Sequence, residues 1–268
     1  MRVALLGAGN MGTSLLRGWM RRGGIEVSVW DPLPRRREEA GRLGAKVAPS
    51  NPEAVQGADV VVLAVKPGKV GEVLDEVRSS LPDWGMLLSV AAGVPTAFLE
   101  GRLGRRYPVV RAMPNSPALV GVGISAVCPG RWASDEHLER AEALLGAVGE
   151  VVRTEEKLMD AVTGLSGSGP AYVYTFLEAL VDGGVLVGLP RDLALKLALG
   201  TVLGAAKMAK ETGEDLSSLR GKVTSPGGTT IAGLYALEKM RFRAAVMGAV
   251  EAATKRSEEL RDELYSDS

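Results

Sequence analysis

Residues 2–12 read RVALLGAGNMG, a short apolar run that leads into three closely spaced glycines. The apolar run predicts a buried strand, and the amphipathic stretch from Met11 to Arg22 predicts a helix directly after it. Glycines at such a junction permit a tight turn and let the backbone approach a pyrophosphate, to which the helix N-terminus adds partial positive charge. The sequence therefore predicts that residues 7–12 bind a dinucleotide; the alternative is a glycine turn that only closes a strand–helix unit.

The rest of the first half continues this alternation of apolar runs with helix-length segments. The predicted strands comprise residues 2–6, 26–30, 45–47, 58–65, 86–90, 108–112, 123–127 and 150–154. The unbroken valines within 58–65 suit a strand that is buried on both faces. Strands that alternate with helices predict a mainly parallel, doubly wound sheet of the Rossmann type, which the last two strands extend around a helix at 135–147.

Charged residues follow the second predicted strand. Asp31 lies where a carboxylate would grip the ribose hydroxyls of NAD and would repel the 2′-phosphate of NADP. Arg35, Arg36 and Arg37 come soon after it and offer that phosphate a binding site, unless they form the solvated start of an ordinary helix. The sequence leaves the choice between NADH and NADPH open.

Two further strand ends carry candidate contacts. Lys66 follows the valine run within Ala64-Val65-Lys66-Pro67, and the carboxyl ends of such strands face the ligand crevice. We therefore expect Lys66 beside cofactor or substrate, with a loop lysine before a helix as the alternative. The two prolines of residues 113–117 hold that segment extended, which is expected to leave Asn115 and Ser116 free to meet the nicotinamide.

The second half of the chain reads as helical. Segments 170–188 and 192–213 are apolar nearly all the way round, with Asp192 and Gly213 as expected caps of the second helix, and one long amphipathic helix is predicted over 231–264. A segment of about a hundred residues cannot bury two such helices within itself, so we expect a second subunit to cover them.

The predicted fold class is therefore α/β. A Rossmann-type dinucleotide-binding domain, residues 1–162, is followed by an all-helical dimerisation and substrate-binding domain, residues 163–268.

Residues 224–230 read TSPGGTT and interrupt the helical half. Pro226 stiffens the approach to the last helix, and the two glycines after it let a ligand come close to the backbone. The first turn of the helix has N–H groups without internal partners, which suit a small carboxylate, and Ser225 and a threonine hydroxyl add directional hydrogen bonds. The alternative is an ordinary turn before a helix N-terminus.

Composition excludes several classes of partner. The chain carries 32 basic and 32 acidic side chains and only 4% aromatic residues, so neither nucleic acid nor an anionic membrane is an expected partner. The single cysteine, Cys128, fits a reducing compartment, and the absence of a signal-peptide pattern or long apolar run predicts a cytoplasmic protein. No metal-ligand spacing is present, and His137 is expected at the surface.

Segments 7–12, 64–67, 111–117, 163–172 and 224–230 together resemble the pyrroline-5-carboxylate reductase family. The resemblance implies reduction of (S)-1-pyrroline-5-carboxylate to L-proline with NADPH or NADH, by a homodimer that often assembles further. It implies cofactor contacts from Gly7, Gly9, Asn10, Met11, Gly12, Asn51, Val65, Lys66 and Ala92, and substrate contacts from Glu156, Ser225, Thr229 and Thr230. The strand ends add Ala64, Pro67 and Asn115 as candidate cofactor contacts, and the TSPGGTT loop adds Gly227 and Gly228 as candidate substrate contacts. Asp31 departs from the small hydroxylated residue of many members, so NADH use becomes plausible.

The predicted chemistry is hydride transfer to a cyclic imine, for which positioning is the main requirement. Ser225 and Thr230 are the candidate catalytic residues, and the Thr230 hydroxyl is the candidate hydrogen-bond donor or proton relay to the ring nitrogen, with water as its rival. A β-hydroxyacid dehydrogenase, an alternative reading, would need a lysine one helical turn from an asparagine; the helix that begins PAYVYTFLEAL has neither. A non-catalytic NADPH sensor, the other alternative, would not need a second anion pocket.

Overall fold

The computed structural model describes residues 1–265. Strands alternate with helices up to residue 153. In this part of the chain the strands are β1 Arg2–Leu6, β2 Glu26–Trp30, β3 Lys46–Val47, β4 Val60–Leu63, β5 Met86–Ser89, β6 Val109–Pro114, β7 Gly123–Pro129 and β8 Gly149–Arg153. They form one sheet in the order β3-β2-β1-β4-β5-β6-β7-β8. Strands β1 to β6 are parallel, β7 is antiparallel to β6, and β8 is parallel to β7. The order reverses between β1 and β4, where doubly wound sheets bind their ligands.

Helices connect the strands and then replace them. The α-helices are α1 Asn10–Arg22, α2 Pro34–Arg42, α3 Asn51–Ala54, α4 Val70–Val77, α5 Thr96–Leu103, α6 Asp135–Leu145, α7 Met159–Val162, α8 Gly169–Leu186, α9 Arg191–Thr212, α10 Leu216–Lys222, α11 Thr229–Lys239 and α12 Phe242–Tyr265. A short π-helical turn, Thr163–Gly167, separates α7 from α8.

The sheet is covered on both faces because its strands alternate their side chains between two cores. Val3 and Leu5 of β1 belong to one core, which also contains Trp19 of α1. Ala4 and Leu6 belong to the other core, where α4 and α5 pack. Because successive side chains of a strand point to opposite faces and both faces are buried here, most positions of such a strand are apolar. This accounts for the near-continuous apolar runs in the sequence.

The chain divides into two compact units. One contains residues 1–168 together with the last helix from residue 251 onward, and the other contains residues 169–250. The helical unit has a small core of its own, in which Val181, Ala194 and Ala198 are buried among the residues described. Most of its large apolar side chains are exposed, and Leu186 is 87% exposed. A single chain therefore leaves the apolar faces of this unit uncovered.

The predicted strands and the two long helices of the second half are confirmed, with boundaries shifted by at most two residues. Two local predictions were wrong. Asp192 does not cap α9, because Pro190 holds the cap position and Asp192 lies inside the first turn. The single helix predicted over 231–264 is two helices, because the backbone turns at Arg241 with a φ of 55°. Neither proline nor glycine marks that turn. The C-cap at Gly213 is confirmed, with left-handed backbone.

The domain boundary after residue 162 stays a prediction. The predicted second domain, residues 163–268, also includes residues 266–268, which lie outside the described part of the chain.

Candidate active site

One edge of the sheet gathers most of the predicted cofactor contacts. Because β1 to β6 are parallel, the loops that follow them emerge at the same edge. The predicted residues in or next to these loops are Gly7, Gly9, Asn10, Met11, Gly12, Asp31, Arg35, Asn51, Ala64, Val65, Lys66, Pro67, Ala92 and Asn115.

The glycine loop after β1 requires two of its glycines for steric reasons. Gly7 has a φ of 96°, and a Cβ there would lie 2.7 Å from the carbonyl oxygen of Ala64. A Cβ on Gly12 would overlap the carbonyl oxygen of Gly7. These two glycines let strand, turn and helix pack together, which is the role that the sequence assigns to them.

Gly9 has a different role, because it has space around it. A Cβ on Gly9 would find nothing closer than the Arg36 side chain at 3.9 Å. Gly9 is the N-cap of α1 and offers no side-chain cap, so the N–H groups of the first turn need another partner. An open, donor-rich helix start of this kind fits the pyrophosphate of a dinucleotide.

Asp31, directly after β2, is only 2% exposed. Its Oδ2 accepts a hydrogen bond from the Ala8 N–H at 2.9 Å and lies 3.4 Å from Nη1 of Arg36. Its Oδ1 accepts from the Leu33 N–H at 2.9 Å. The carboxylate therefore ties the glycine loop to the end of β2.

Arg37 stacks on the Trp30 ring, with its guanidinium carbon 4.4 Å from the ring centroid, and donates to the Asp31 carbonyl at 2.7 Å. Arg35 is exposed. The three consecutive arginines thus differ in their contacts within the protein: Arg37 is stacked and bonded, Arg36 contacts Asp31, and Arg35 is exposed.

Segment 64–67 runs beside the glycine loop. The Ala64 N–H donates to the Leu6 carbonyl at 2.8 Å, and a Cβ on Gly7 would lie 3.0 Å from a methyl of Val65. Lys66 follows in an extended conformation, and its side chain is exposed at this edge.

Tyr265, which sequence reasoning missed, holds the end of this segment. Its hydroxyl donates to the Pro67 carbonyl at 2.9 Å, and its ring lies 4.4 Å from that of Phe98. Residues 67, 98 and 265 share no sequence pattern that would have predicted these contacts.

Asn51 and Ala92 occupy opposite environments. Asn51 is buried in the first turn of α3 and donates its amide to Glu76 of α4 at 2.7 Å. Ala92 is exposed in the loop after β5, next to Gly93, which has a φ of 74°. Both lie after parallel strands, but the side-chain amide of Asn51 is bonded to α4.

Asn115 follows β6 and its side chain is occupied. Its amide donates to the Ser166 carbonyl at 3.2 Å, and its Oδ1 accepts from the Ile124 N–H at 3.0 Å. The expectation that this side chain is free was wrong, because the π-helical turn packs against β6. That turn approaches so closely that a Cβ on Gly167 would lie 2.6 Å from Met113. Contact between Asn115 and a cofactor stays a prediction.

Glu156 binds the start of α5. Its carboxylate accepts hydrogen bonds from the Thr96 N–H at 2.7 Å and from the Thr96 hydroxyl, and it lies 3.2 Å from Nη1 of Arg111, which is buried. Cys128 pairs in register with Arg111 on the neighbouring strand. Burial raises the pKa of the Cys128 thiol to about 12, and the charge of Glu156 adds to this effect while Arg111 opposes it. The thiol is therefore a buried apolar group, as expected.

The TSPGGTT loop leads into α11 as predicted. Gly227 has a φ of 68°, and the Gly228 N–H donates to the Ser225 carbonyl at 3.1 Å to close the turn. A Cβ on Gly228 would overlap the Ser225 hydroxyl. Gly228 is the N-cap of α11 and supplies no side-chain cap. The N–H groups of Thr229 and Thr230 lie in the first helical turn, where the helix itself offers them no acceptor.

The described residues also bear on the expectations for His137, for a metal site and for a membrane-spanning helix. His137 lies in the first turn of α6, where its ring bonds to Ser134, and burial together with Arg140 lowers its pKa. Along residues 1–265 the structure holds no group of three His, Cys, Asp or Glu side chains arranged to take a metal ion. Over the same range, no helix combines the length and apolar character that crossing a membrane requires.

Comparison of the chain with known proteins identifies similar families and relatives. Residues 156–260 match the family described as pyrroline-5-carboxylate reductase dimerisation, and residues 2–93 match the family described as NADP oxidoreductase, coenzyme F420-dependent. A pyrroline-5-carboxylate reductase of Synechocystis is 48% identical over 242 residues, with 88% of each chain covered. One from Arabidopsis thaliana is 46% identical over 265 residues, covering 97% of this chain and 95% of the relative.

The chain belongs to the pyrroline-5-carboxylate reductase family. Solved structures agree. A pyrroline-5-carboxylate reductase from Coxiella burnetii superposes with a TM-score of 0.91 at 34% identity, covering 96% of this chain and 97% of the other. A pyrroline carboxylate reductase from Plasmodium falciparum, solved with NADP bound, has a TM-score of 0.86 at 33% identity and covers 97% of this chain and 98% of the other.

Membership in the pyrroline-5-carboxylate reductase family makes the chain an NAD(P)H-dependent oxidoreductase. The matched dimerisation segment contains α8 to α11, which carry many of the exposed apolar side chains. Both observations support a homodimer. A hydroxyacid dehydrogenase from Mycobacterium tuberculosis shares only 19% identity with a TM-score of 0.51, so its likeness concerns the fold alone.

Proposed function

We propose that this chain reduces (S)-1-pyrroline-5-carboxylate to L-proline with hydride from NADPH or NADH, the last step of proline biosynthesis. The observation that carries the proposal is that a chain of this family holds both a dinucleotide-type glycine loop and a donor-rich helix start suited to a carboxylate. Neither feature alone would distinguish a reductase from a protein that only binds a nucleotide.

The cofactor contacts are proposed at the sheet edge. Gly9 and the first turn of α1 receive the pyrophosphate, because this helix start is open and uncapped. Val65 and Lys66 lie beside that loop, and Ala92 is exposed after the next strand of the sheet. The complete proposed set is Gly7, Gly9, Asn10, Met11, Gly12, Asp31, Arg35, Asn51, Ala64, Val65, Lys66, Pro67, Ala92 and Asn115.

The substrate contacts are proposed around the TSPGGTT loop. The backbone N–H groups of Thr229 and Thr230 hold the substrate carboxylate, and the Ser225 hydroxyl adds a hydrogen bond. Gly227 and Gly228 keep the approach to the backbone clear. Glu156 is proposed near the substrate as well, although its carboxylate is already shared between Thr96 and Arg111.

The proposed chemistry asks little of the protein beyond orientation. When bound, the nicotinamide supplies the hydride. The chain fixes the substrate by its carboxylate, and the Thr230 hydroxyl bonds to the ring nitrogen as donor or relay, with water as its rival. Holding two reactants in one geometry contributes on the order of 7–11 kcal/mol to a reaction of this kind.

Three finer statements belong to the same proposal. The division of labour follows the predicted domains, with nucleotide binding by residues 1–162 and dimerisation and substrate binding by residues 163–268. Homodimers assemble further, as the family resemblance implies. The enzyme works in the cytoplasm, which the single buried cysteine of the chain favours. No metal, nucleic acid or membrane takes part.

The direct test is loss of absorbance at the reduced-nicotinamide band when pyrroline-5-carboxylate is added to the full chain. We expect turnover with the imine and formation of proline. An unchanged signal with pyrroline-5-carboxylate, together with oxidation of a β-hydroxyacid by NAD(P)⁺, would replace the proposal with a dehydrogenase. Nucleotide binding without turnover of either substrate class would favour a sensor.

A further inference from the structure

Asp31 is already bonded within the protein and is almost fully buried. Both of its oxygens are occupied, by the N–H groups of Ala8 and Leu33 at 2.9 Å each, and Arg36 lies over the same carboxylate at 3.4 Å. Only 2% of the residue is exposed. Little of the carboxylate surface is therefore open to a ribose hydroxyl. The geometry gives Asp31 a different task, which is to hold the glycine loop against the end of β2.

The three arginines after β2 are not equivalent. Arg37 is committed, because its guanidinium stacks on Trp30 and donates to the carbonyls of Asp31 and Pro32 at 2.7 and 3.1 Å. Arg36 stands between Asp31 and Gly9, and 44% of its side chain is exposed. Its outer face therefore points to solvent beside the loop where the pyrophosphate is proposed. Arg35 is exposed and follows directly after Pro34.

The charge around this position is positive. Arg36 offsets the Asp31 carboxylate, whereas the acidic residues of α2 are occupied elsewhere, Glu39 by Arg17 at 2.9 Å and Glu38 by Arg42 at 3.9 Å. The positive charges of Arg35 and Arg37 then have no nearby carboxylate in this segment to balance them. A second phosphate is favoured at such a site more strongly than an uncharged hydroxyl.

We propose that Arg36 is the residue that selects the cofactor, binding the 2′-phosphate of NADPH, and that the buried Asp31 closes the glycine loop without binding the ribose. The chain accordingly prefers NADPH to NADH. This inference rests on the proposed function for the existence of the nucleotide site. It reverses the expectation that an aspartate after β2 favours NADH, because that expectation assumes a carboxylate free to accept hydroxyls.

The test uses two fragments that differ only in the phosphate, 2′,5′-ADP and 5′-ADP, titrated calorimetrically into the full chain. We expect 2′,5′-ADP to bind at least about tenfold more tightly, since hydrogen bonds to charged groups are the strong ones. Arg36→Ala should lose about that factor for 2′,5′-ADP and leave 5′-ADP affinity unchanged. Arg36→Lys should lose less, because it keeps the charge without the bidentate fork.

Matched variants separate Arg36 from its neighbours. Arg42→Ala, in the same helix and paired with Glu38 at the surface, should change neither affinity. Asp31→Asn should weaken both fragments alike, because the loop loses an acceptor for its N–H groups. Thermal unfolding of each variant identifies any that is not folded.

Three results would overturn the inference. The first is equal or tighter binding of 5′-ADP by the unchanged chain. The second is a larger selective loss in Arg35→Ala than in Arg36→Ala. The third is a selective loss of 5′-ADP affinity in Asp31→Asn, which would show that Asp31 holds the ribose hydroxyls. Because the readout is fragment binding, a chain that passes this test but does not reduce the imine would refute the proposed function alone.

Discussion

The carboxylate of Glu156 accepts a hydrogen bond at 2.7 Å from the backbone N–H of Thr96, a residue 60 positions away in the sequence. Thr96 is the first residue of α5, which has no side-chain cap of its own, so Glu156 supplies the missing acceptor from another part of the chain. The same carboxylate faces Arg111, which is almost fully buried. One side chain therefore serves both a helix start and a buried cation.

Glu156→Gln should lower the free energy of unfolding by about 1–3 kcal/mol, because the amide leaves the charge of Arg111 without its partner. Denaturant unfolding at pH 7 measures the change. Glu155→Gln is the matched control, since its carboxylate pairs with Lys157 at the surface, and it should shift stability by no more than about 0.5 kcal/mol. Unchanged stability with a raised KM for the imine would assign Glu156 to substrate binding alone.

Gly12→Ala and Gly9→Ala should separate folding from cofactor binding. The methyl at position 12 overlaps the Gly7 carbonyl, so this variant should be destabilised and lose nucleotide binding together. The methyl at position 9 meets nothing closer than 3.9 Å, so the melting temperature should stay nearly the same while nucleotide affinity falls. Calorimetric titration and thermal unfolding distinguish the two. Normal nucleotide affinity in Gly9→Ala would remove the pyrophosphate from this loop.

Thr230→Ala should lower turnover by about tenfold or more and leave NAD(P)H affinity nearly unchanged, because only the hydroxyl proposed for the ring nitrogen is removed. Steady-state kinetics and nucleotide titration measure the two effects. Thr212→Ala is the control, since that hydroxyl is already bonded to the Met208 carbonyl at 2.9 Å. A Thr230 variant with full turnover would leave water as the donor.

Cys128 should resist alkylation in the folded protein. Burial raises the pKa of its thiol to about 12, well above the ordinary value, so the protonated form predominates at every pH below that. At pH 8 very little of the thiol is ionised, and the side chain is buried. Mass spectrometry after iodoacetamide treatment should detect label only in denatured protein. Rapid labelling of native protein would contradict the burial.

Leu197→Glu should weaken the dimer, because this exposed leucine of α9 belongs to the apolar surface that a single chain leaves uncovered. Sedimentation should show monomer appearing at concentrations where the unchanged chain is dimeric. Lys196→Glu, which changes an exposed charge on the adjacent residue, is expected to sediment as the unchanged chain does. A stable monomer of the unchanged chain would contradict dimerisation itself.

The sequence predicted the sheet and its strand ends well, because apolar runs and glycine turns are local signals. RVALLGAGNMG became β1, the glycine loop and the start of α1 as expected. The sequence also predicted that TSPGGTT precedes a helix N-terminus, as the structure shows. The break at Arg241 escaped prediction because a non-glycine residue adopts a positive φ there without a sequence marker.

By itself, the sequence determined the doubly wound sheet, the uncovered apolar helices and the two glycine-containing loops. These follow from hydrophobic period and from the backbone freedom of glycine, which are properties of neighbouring residues. Tertiary structure alone decided what the polar side chains do. Asp31 closes the glycine loop, Asn115 anchors the π-helical turn, and Glu156 caps α5. Each has at least one partner in a separate segment, namely Ala8, Ser166 and Thr96 respectively, and hydrogen bonds between separate segments leave no periodic trace in the sequence.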